Sequence, residues 1–307
     1  MFSINVRKGQ LEAFCKFPWD LSLVVFIANP RVTSGDPASV KETFEPLVKD
    51  SIFRMFEINL MDDNSWEIAS RLIETANVEI VVSLQPLVLS QGVNLCSLKE
   101  EERKKSVEFI SKALHVSFKR GARKVALCSG QDPGMENREA AKDALVKSLN
   151  ELTAEASRLG ITLILETFDR EWDRKQLIGS LHDAVEVACE VKEFHENFGL
   201  LWDLSHAPML DEKPEDLKIA RNHLAHIHIG CAKRLPDGRL VDTHPGFYRP
   251  GSVNGVEEVA DLLRVLLEIG YSGYIGFEIK PEDGQTWREP LEAAKGVLLT
   301  AFARCIR

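Results

Sequence analysis

Four polar residues stand at or near the ends of four separate apolar runs. Glu166 closes ITLILE, Asp203 closes GLLWD, His228 sits in AHIHIG and Glu278 in GYIGFE. A carboxylate or imidazole costs several kcal/mol to desolvate without a partner, so such runs rarely carry one by chance. Two glutamates, an aspartate and a histidine make a hard N/O donor set for a divalent cation. Three acids gathered without a cation would raise one another's pKa by repulsion and desolvation. The chemistry expected of these residues is therefore metal-assisted.

Positioning them is the task of a repeating frame. Apolar runs at 21–29, 54–60, 78–85, 123–130, 161–167, 199–205, 225–230 and 273–279 alternate with amphipathic segments such as EEERKKSVEFISKALHVSFKR and NREAAKDALVKSLNELTAEASRL. The apolar residues of these two segments recur at i, i+3, i+4 and i+7, which predicts helices. Gly121, Gly160 and Gly270 stand where helices should stop before the next strand. Eight strand–helix units with near-continuous apolar strands predict an α/β fold of one parallel eight-stranded (β/α)8 barrel. A doubly wound open sheet is the alternative, but neither G-x-G-x-x-G after the first strand nor G-x-x-x-x-G-K-[ST] occurs. The expected organisation is a single domain over 1–307 with an irregular segment at 1–20.

Strand alternation tests convergence. In GYIGFEIK it puts Tyr274, Gly276, Glu278 and Lys280 on one face. In AHIHIG it turns His226, His228 and Gly230 inward, and Ala225, Ile227 and Ile229 toward the helices. Glu166 shares its face with Thr162 and Ile164, and Asp203 with Leu201. His226 alone is as readily a hydrogen-bonded core residue as a functional one. The long irregular stretches 86–98, 167–180 and 231–254 all follow strands, on the barrel face where such folds place their chemistry.

Composition bounds the rest. The 307 residues are 44% hydrophobic and 28% charged with a net charge of −9, ordinary for a globular protein. No apolar run approaches the ~20 residues of a membrane span, and the N-terminus lacks an apolar leader core, so a cytoplasmic location is expected. Six scattered cysteines at 15, 96, 128, 189, 231 and 305 form no C-x-x-C pair and read as reduced thiols. The acidic balance argues against nucleic-acid binding.

On these residues the chain resembles the xylose-isomerase-like barrels, which include ketose 3-epimerases, hydroxypyruvate isomerase, inosose dehydratase and, more distantly, endonuclease IV. The likeness covers nearly the whole barrel and is strongest over 161–280. It implies that Glu166, Asp203, His228 and Glu278 ligate a metal, and that His206 of D-L-S-H and Arg234, six residues after His228, contact substrate. The Pro-Gly at 250–251 matches the one that precedes the seventh helix of these barrels. Gln85, Trp172, Lys280 and Glu57 are further candidates for the pocket wall. D-T-H at 242–244 is similar to the extra metal-binding pair of endonuclease IV. Ser83-Leu84-Gln85 and Cys128-Ser129-Gly130 stand where that family has histidines, so a full trinuclear zinc cluster is not expected. A second metal site using His206, Asp242 and His244 stays open.

The resemblance implies one divalent ion (Mn²⁺, Mg²⁺, Co²⁺ or Zn²⁺), a small sugar or polyol substrate, and proton transfer by Glu166 and Glu278 through a metal-stabilised enediolate. The expected activity is ketose isomerisation or epimerisation. Dehydration of a keto-polyol at the same site and phosphodiester cleavage at abasic DNA are the alternatives. No arginine-rich or helix-terminal phosphate site stands out, which favours an unphosphorylated substrate. Segment 1–20 and the long seventh loop are available for homo-oligomer contacts or for covering the site.

Overall fold

The computed structural model describes residues 2–305. The chain opens with an antiparallel hairpin, β1 (Ser3–Lys8) and β2 (Leu11–Lys16), so the irregular segment expected at 1–20 is corrected. Its strands mix charged and apolar residues over six positions each, too short and too polar to stand out as apolar runs. The hairpin is tied down beside the barrel by Phe2, which stacks on Phe17 with ring centroids 4.5 Å apart. Phe302 of the last helix meets both rings edge-on.

Each of the eight apolar runs supplies one barrel strand: β3 (Asp20–Val24), β4 (Phe53–Ile58), β5 (Glu79–Ser83), β6 (Lys124–Leu127), β7 (Thr162–Glu166), β8 (Phe198–Asp203), β9 (Leu224–Ile229) and, after three short strands described below, β13 (Tyr274–Phe277). All neighbours are parallel, and β13 closes the ring by pairing with both β3 and β9. The first run is shorter as a strand than its apolar length suggests, because Val25–Ala28 coils into a helical turn. Helices Pro37–Leu47, Asp63–Ile73, Glu100–Lys119, Arg138–Arg158, Leu181–Lys192, Val256–Glu268 and Arg288–Cys305 surround the barrel. Gly121, Gly160 and Gly270 have positive φ at the ends of theirs, as the stop signals require. Between β8 and β9 the expected helix is a 3₁₀ turn, Pro214–Ala220.

The stretch 231–254 is more ordered than expected. β10 (Ala232–Arg234) pairs antiparallel with β11 (Leu240–Val241) and β12 (Ser252–Val253), strands too short for periodicity to register. No helix among the described residues is long and apolar enough to cross a membrane. The six cysteines are free thiols.

Inside the barrel, Ala126, Ile164 and Leu201 form a small apolar layer joined by Ala225. Ala225 was expected to face the helices. A register shift pairs Leu200 with Leu224 but Leu201 with His226, so Ala225 is the extra residue of a bulge and turns inward. Gly199 makes room for it, since a Cβ there would lie 2.5 Å from the Ala225 Cβ. The alternation resumes at His226, and the residues above this layer are polar.

Candidate metal centre

Glu166 ends β7, Asp203 ends β8, His228 is the penultimate residue of β9, and Glu278 follows β13 directly. One ligand atom from each lies within 4.8 Å of those of the other three. Ile164 and Leu201, one alternation below Glu166 and Asp203, pack in the interior layer, so strand parity aims both carboxylates up the barrel axis. His228 Nδ1 is 2.7 Å from Glu278 Oε2 and 4.0 Å from Glu166 Oε1.

The frame around the group fixes its orientation. Asp203 accepts from the Ser205 amide at 2.7 Å and from the Ser205 hydroxyl at 2.6 Å. His206 donates from Nδ1 to the Thr167 carbonyl at 2.8 Å, which leaves Nε2 as the lone-pair nitrogen of the neutral ring. Nε2 faces Asp242 Oδ1 at 3.4 Å, and His244 Nε2 lies 2.7 Å from the same oxygen. Asp203, His206 and His244 form a second group of suitably spaced donors, and Glu57, His226 and His228 a third. His244 holds a left-handed backbone, φ 48°, that a non-glycine residue adopts at a cost of about 1–2 kcal/mol. The Lys280 amide pins it by donating to the His244 carbonyl at 2.6 Å.

Several atoms facing this centre are buried without a hydrogen bond: His206 Nε2, His228 Nδ1, His244 Nδ1, Asp242 Oδ1 and Gln85 Oε1. A buried group left unsatisfied costs about 1–3 kcal/mol, and here His206 Nε2, His228 Nδ1 and His244 Nδ1 each face a carboxylate oxygen. Oxygen and imidazole donors in that arrangement fit a divalent cation. Glu166, Asp203, His228 and Glu278 would hold it, with His206, Asp242 and His244 alongside.

Without a cation the charges are strained. Burial, then the neighbouring Glu278 charge, pushes Glu166 up to about 8. Burial acts on Glu278 too, but the adjacent His244 and His228 outweigh it and hold that carboxyl at about 2. Asp203 is raised by burial despite His206. Against the opposing effect of burial, the carboxylates around them raise His206 and His228 well above the ordinary range, and Asp242 and Glu278 bring His244 to about 9.

A cavity of about 350 Å³ opens above Glu166, His228 and Glu278. Val24, Phe26, Ile27, Leu89 and Phe168 give it an apolar wall, and Gln85, Arg174, Asp242, His244 and Lys280 its polar one. Of the sequence candidates for substrate contact, Gln85 and Lys280 line it. His206 lies just beneath, beside Asp242. Trp172 is 44% exposed and lines a neighbouring surface pocket instead. Arg234 points outward and donates to the Gly238 carbonyl. Glu57 lies beneath the cavity, fully buried.

Arg174 is the residue that the sequence reading missed. It donates from Nε to Asp242 Oδ2 and from a guanidinium NH₂ to the Asp242 carbonyl, both at 2.9 Å. Buried Asp169 builds the turn that presents it, accepting from the amides of Trp172, Asp173 and Arg174. An aspartate capping the amides that follow it is a recognisable turn signal, though it does not say where the arginine will point.

A family model described as "Xylose isomerase-like TIM barrel" matches residues 43–298. The chain belongs to that family. An uncharacterized protein of Methanocaldococcus jannaschii is 26% identical over 175 residues, a match that spans 56% of this chain and 62% of that protein. Among solved structures, L-ribulose 3-epimerase is 17% identical with a TM-score of 0.68, over 92% of this chain and 96% of the other. The IOLI protein with a bound zinc atom is 18% identical with a TM-score of 0.69, over 94% and 99%. At these identities the two structures speak for the shared fold.

Proposed function

We propose that this member of the family is a divalent-metal-dependent isomerase or epimerase of a ketose or related hydroxy-carbonyl compound. The observation that carries the proposal is the convergence of Glu166, Asp203, His228 and Glu278 beneath a small, partly apolar cavity. Relatives named for ketose epimerisation and a zinc-containing neighbour support the substrate class and the metal. The ion, when bound, supplies positive charge beside a substrate carbonyl and so acidifies the adjacent C–H.

The chain's own residues handle the proton. Glu166 and Glu278 approach from the ends of different strands and both line the cavity, so one carboxylate can accept a proton from the substrate while the other returns one. Delivery to the opposite face of the same carbon gives epimerisation, and delivery to the neighbouring carbon gives isomerisation. Gln85 and Lys280 orient substrate oxygens, and the apolar wall excludes water. Loss of a hydroxyl from a keto-polyol is a variant of the same proton transfer. The test is turnover of a ketose and keto-polyol panel by protein stripped of metal and reloaded in turn with Mn²⁺, Mg²⁺, Co²⁺ and Zn²⁺. No turnover with any ion would overturn the proposal.

One observation favours a second reading. Asp203, His206, Asp242 and His244 offer a second cation site beside the first, as phosphodiester hydrolysis at abasic DNA would use. The net charge of −9 and the confined cavity favour a small substrate. Nicking of an abasic duplex by zinc-loaded protein would reverse that preference.

A further inference from the structure

β4 contributes a carboxylate that the proposed reaction does not consume. Glu57 is fully buried, and its hydrogen-bond partners are two histidines and a serine. Its Oε2 lies 2.9 Å from His228 Nε2, and its Oε1 lies 2.8 Å from His226 Nε2 and accepts from Ser22 Oγ at 2.7 Å. The two imidazoles stand edge to face, centroids 4.8 Å apart, and present the same nitrogen to one carboxylate.

An ionised carboxylate only accepts hydrogen bonds, so each of these Nε2 atoms must carry the proton. In a neutral His228 the lone pair is then on Nδ1. That nitrogen is buried and faces Glu278 Oε2 at 2.7 Å and Glu166 Oε1 at 4.0 Å. The neighbouring strand leaves space for the arrangement. A Cβ on Gly276 would fall 2.7 Å from Ser22 Oγ, 2.8 Å from Glu57 Oε1 and 2.8 Å from His228 Cδ2.

We infer that Glu57 is a positioning residue, which fixes His228 in the tautomer and ring orientation that present Nδ1 to a divalent cation. His226 and Ser22 hold Glu57 in place for that task. The inference rests on the metal reading above. It assigns Glu57 no contact with substrate, in contrast to a place in the pocket wall. The three-residue group of Glu57, His226 and His228 is close enough to hold a cation itself. Its short contacts, however, already match hydrogen bonds from Ser22 and both rings, which satisfy the carboxylate without one.

The test combines zinc titration with nitrogen-resolved spectra of the zinc-loaded protein. Wild type is expected to show His228 protonated at Nε2, with that proton protected from exchange. Glu57→Gln replaces one acceptor by a donor and forces one ring to change tautomer. Zinc affinity is expected to fall about 10- to 100-fold, with unchanged circular dichroism, whereas Ser22→Ala stays within about threefold. The spectrum of the wild type needs no variant, so a Glu57→Gln protein that fails to fold does not decide the matter. Protonation at Nδ1, or wild-type zinc affinity in folded Glu57→Gln, would overturn the inference and leave the metal reading intact. Binding abolished by Glu57→Gln and His226→Asn but untouched by Asp203→Asn would place the ion in the lower group and overturn it as well. Wild type that takes up no zinc would remove the metal reading, and this inference with it.

Discussion

Gln85 Nε2 donates to Glu166 Oε2 at 2.6 Å, while Gln85 Oε1 is left buried and without a partner at the wall of the cavity. One amide thus steadies the Glu166 carboxyl and adds a polar group to the cavity wall. Replacing it by leucine removes both. A donor to a carboxylate favours the charged form, so its loss raises the Glu166 pKa further above about 8 in metal-free protein. The substrate KM is expected to rise about five- to tenfold, the worth of a hydrogen bond of about 1–1.5 kcal/mol. Carboxyl NMR titration and steady-state kinetics check the two effects separately.

The metal-free centre should lose stability as pH rises. His206, His228 and His244 are raised above the unfolded value near 6.5, His244 to about 9. The stability they contribute is fully present below about 6.5 and is lost as pH climbs through their folded values. Glu166, raised to about 8, acts in the same direction. The melting temperature of stripped protein is therefore expected to fall between about pH 6.5 and 9. Metal ligands must shed these protons, so zinc affinity rises over the same window and binding releases protons. Calorimetry in buffers of different ionisation enthalpy counts them.

Gly276→Ala inserts a methyl among Ser22, Glu57 and His228. Overpacking of this kind costs about 1–3 kcal/mol. It should lower the melting temperature and weaken metal binding together, because it displaces the His228 ring and the Glu57 carboxylate that holds it. Gly296, whose Cβ would meet no atom within 4 Å, provides the control.

Arg174, and not Arg234, is expected to matter for turnover. Arg174→Met leaves the buried Asp242 without its guanidinium, and each charge-assisted bond is worth about 1.5–3 kcal/mol. A fall of about 10- to 100-fold in kcat/KM follows. Arg234→Met and Trp172→Ala touch nothing in the cavity and should stay within about twofold. Equal losses from all three would contradict this placement.

The barrel was legible because each strand is a short apolar run ending in a loop, and the four carboxylate and imidazole residues betrayed themselves by standing where apolar residues belong. Parity carried the inward assignment of Glu166, Asp203 and Glu278. It failed at Ala225, because a bulge inserts a residue that composition does not mark. The hairpin of residues 3–16 and the sheet built on β10 escaped for a related reason, since strands of two to six mixed residues carry no clear period. Arg174 was hidden because a loop aims its side chain through tertiary contacts. Glu57 was visible as a buried acid, but its two histidine partners come from a strand 169 and 171 positions away.

The proposed proton transfer by Glu166 and Glu278 is reached most directly by one measurement. Metal-loaded protein is incubated with a ketose panel in D₂O and the recovered sugars are read by NMR. The expected result is deuterium at a carbon next to the carbonyl, lost in Glu166→Gln and in Glu278→Gln while both variants stay folded. Turnover without solvent deuterium, or exchange that survives both substitutions, would contradict it.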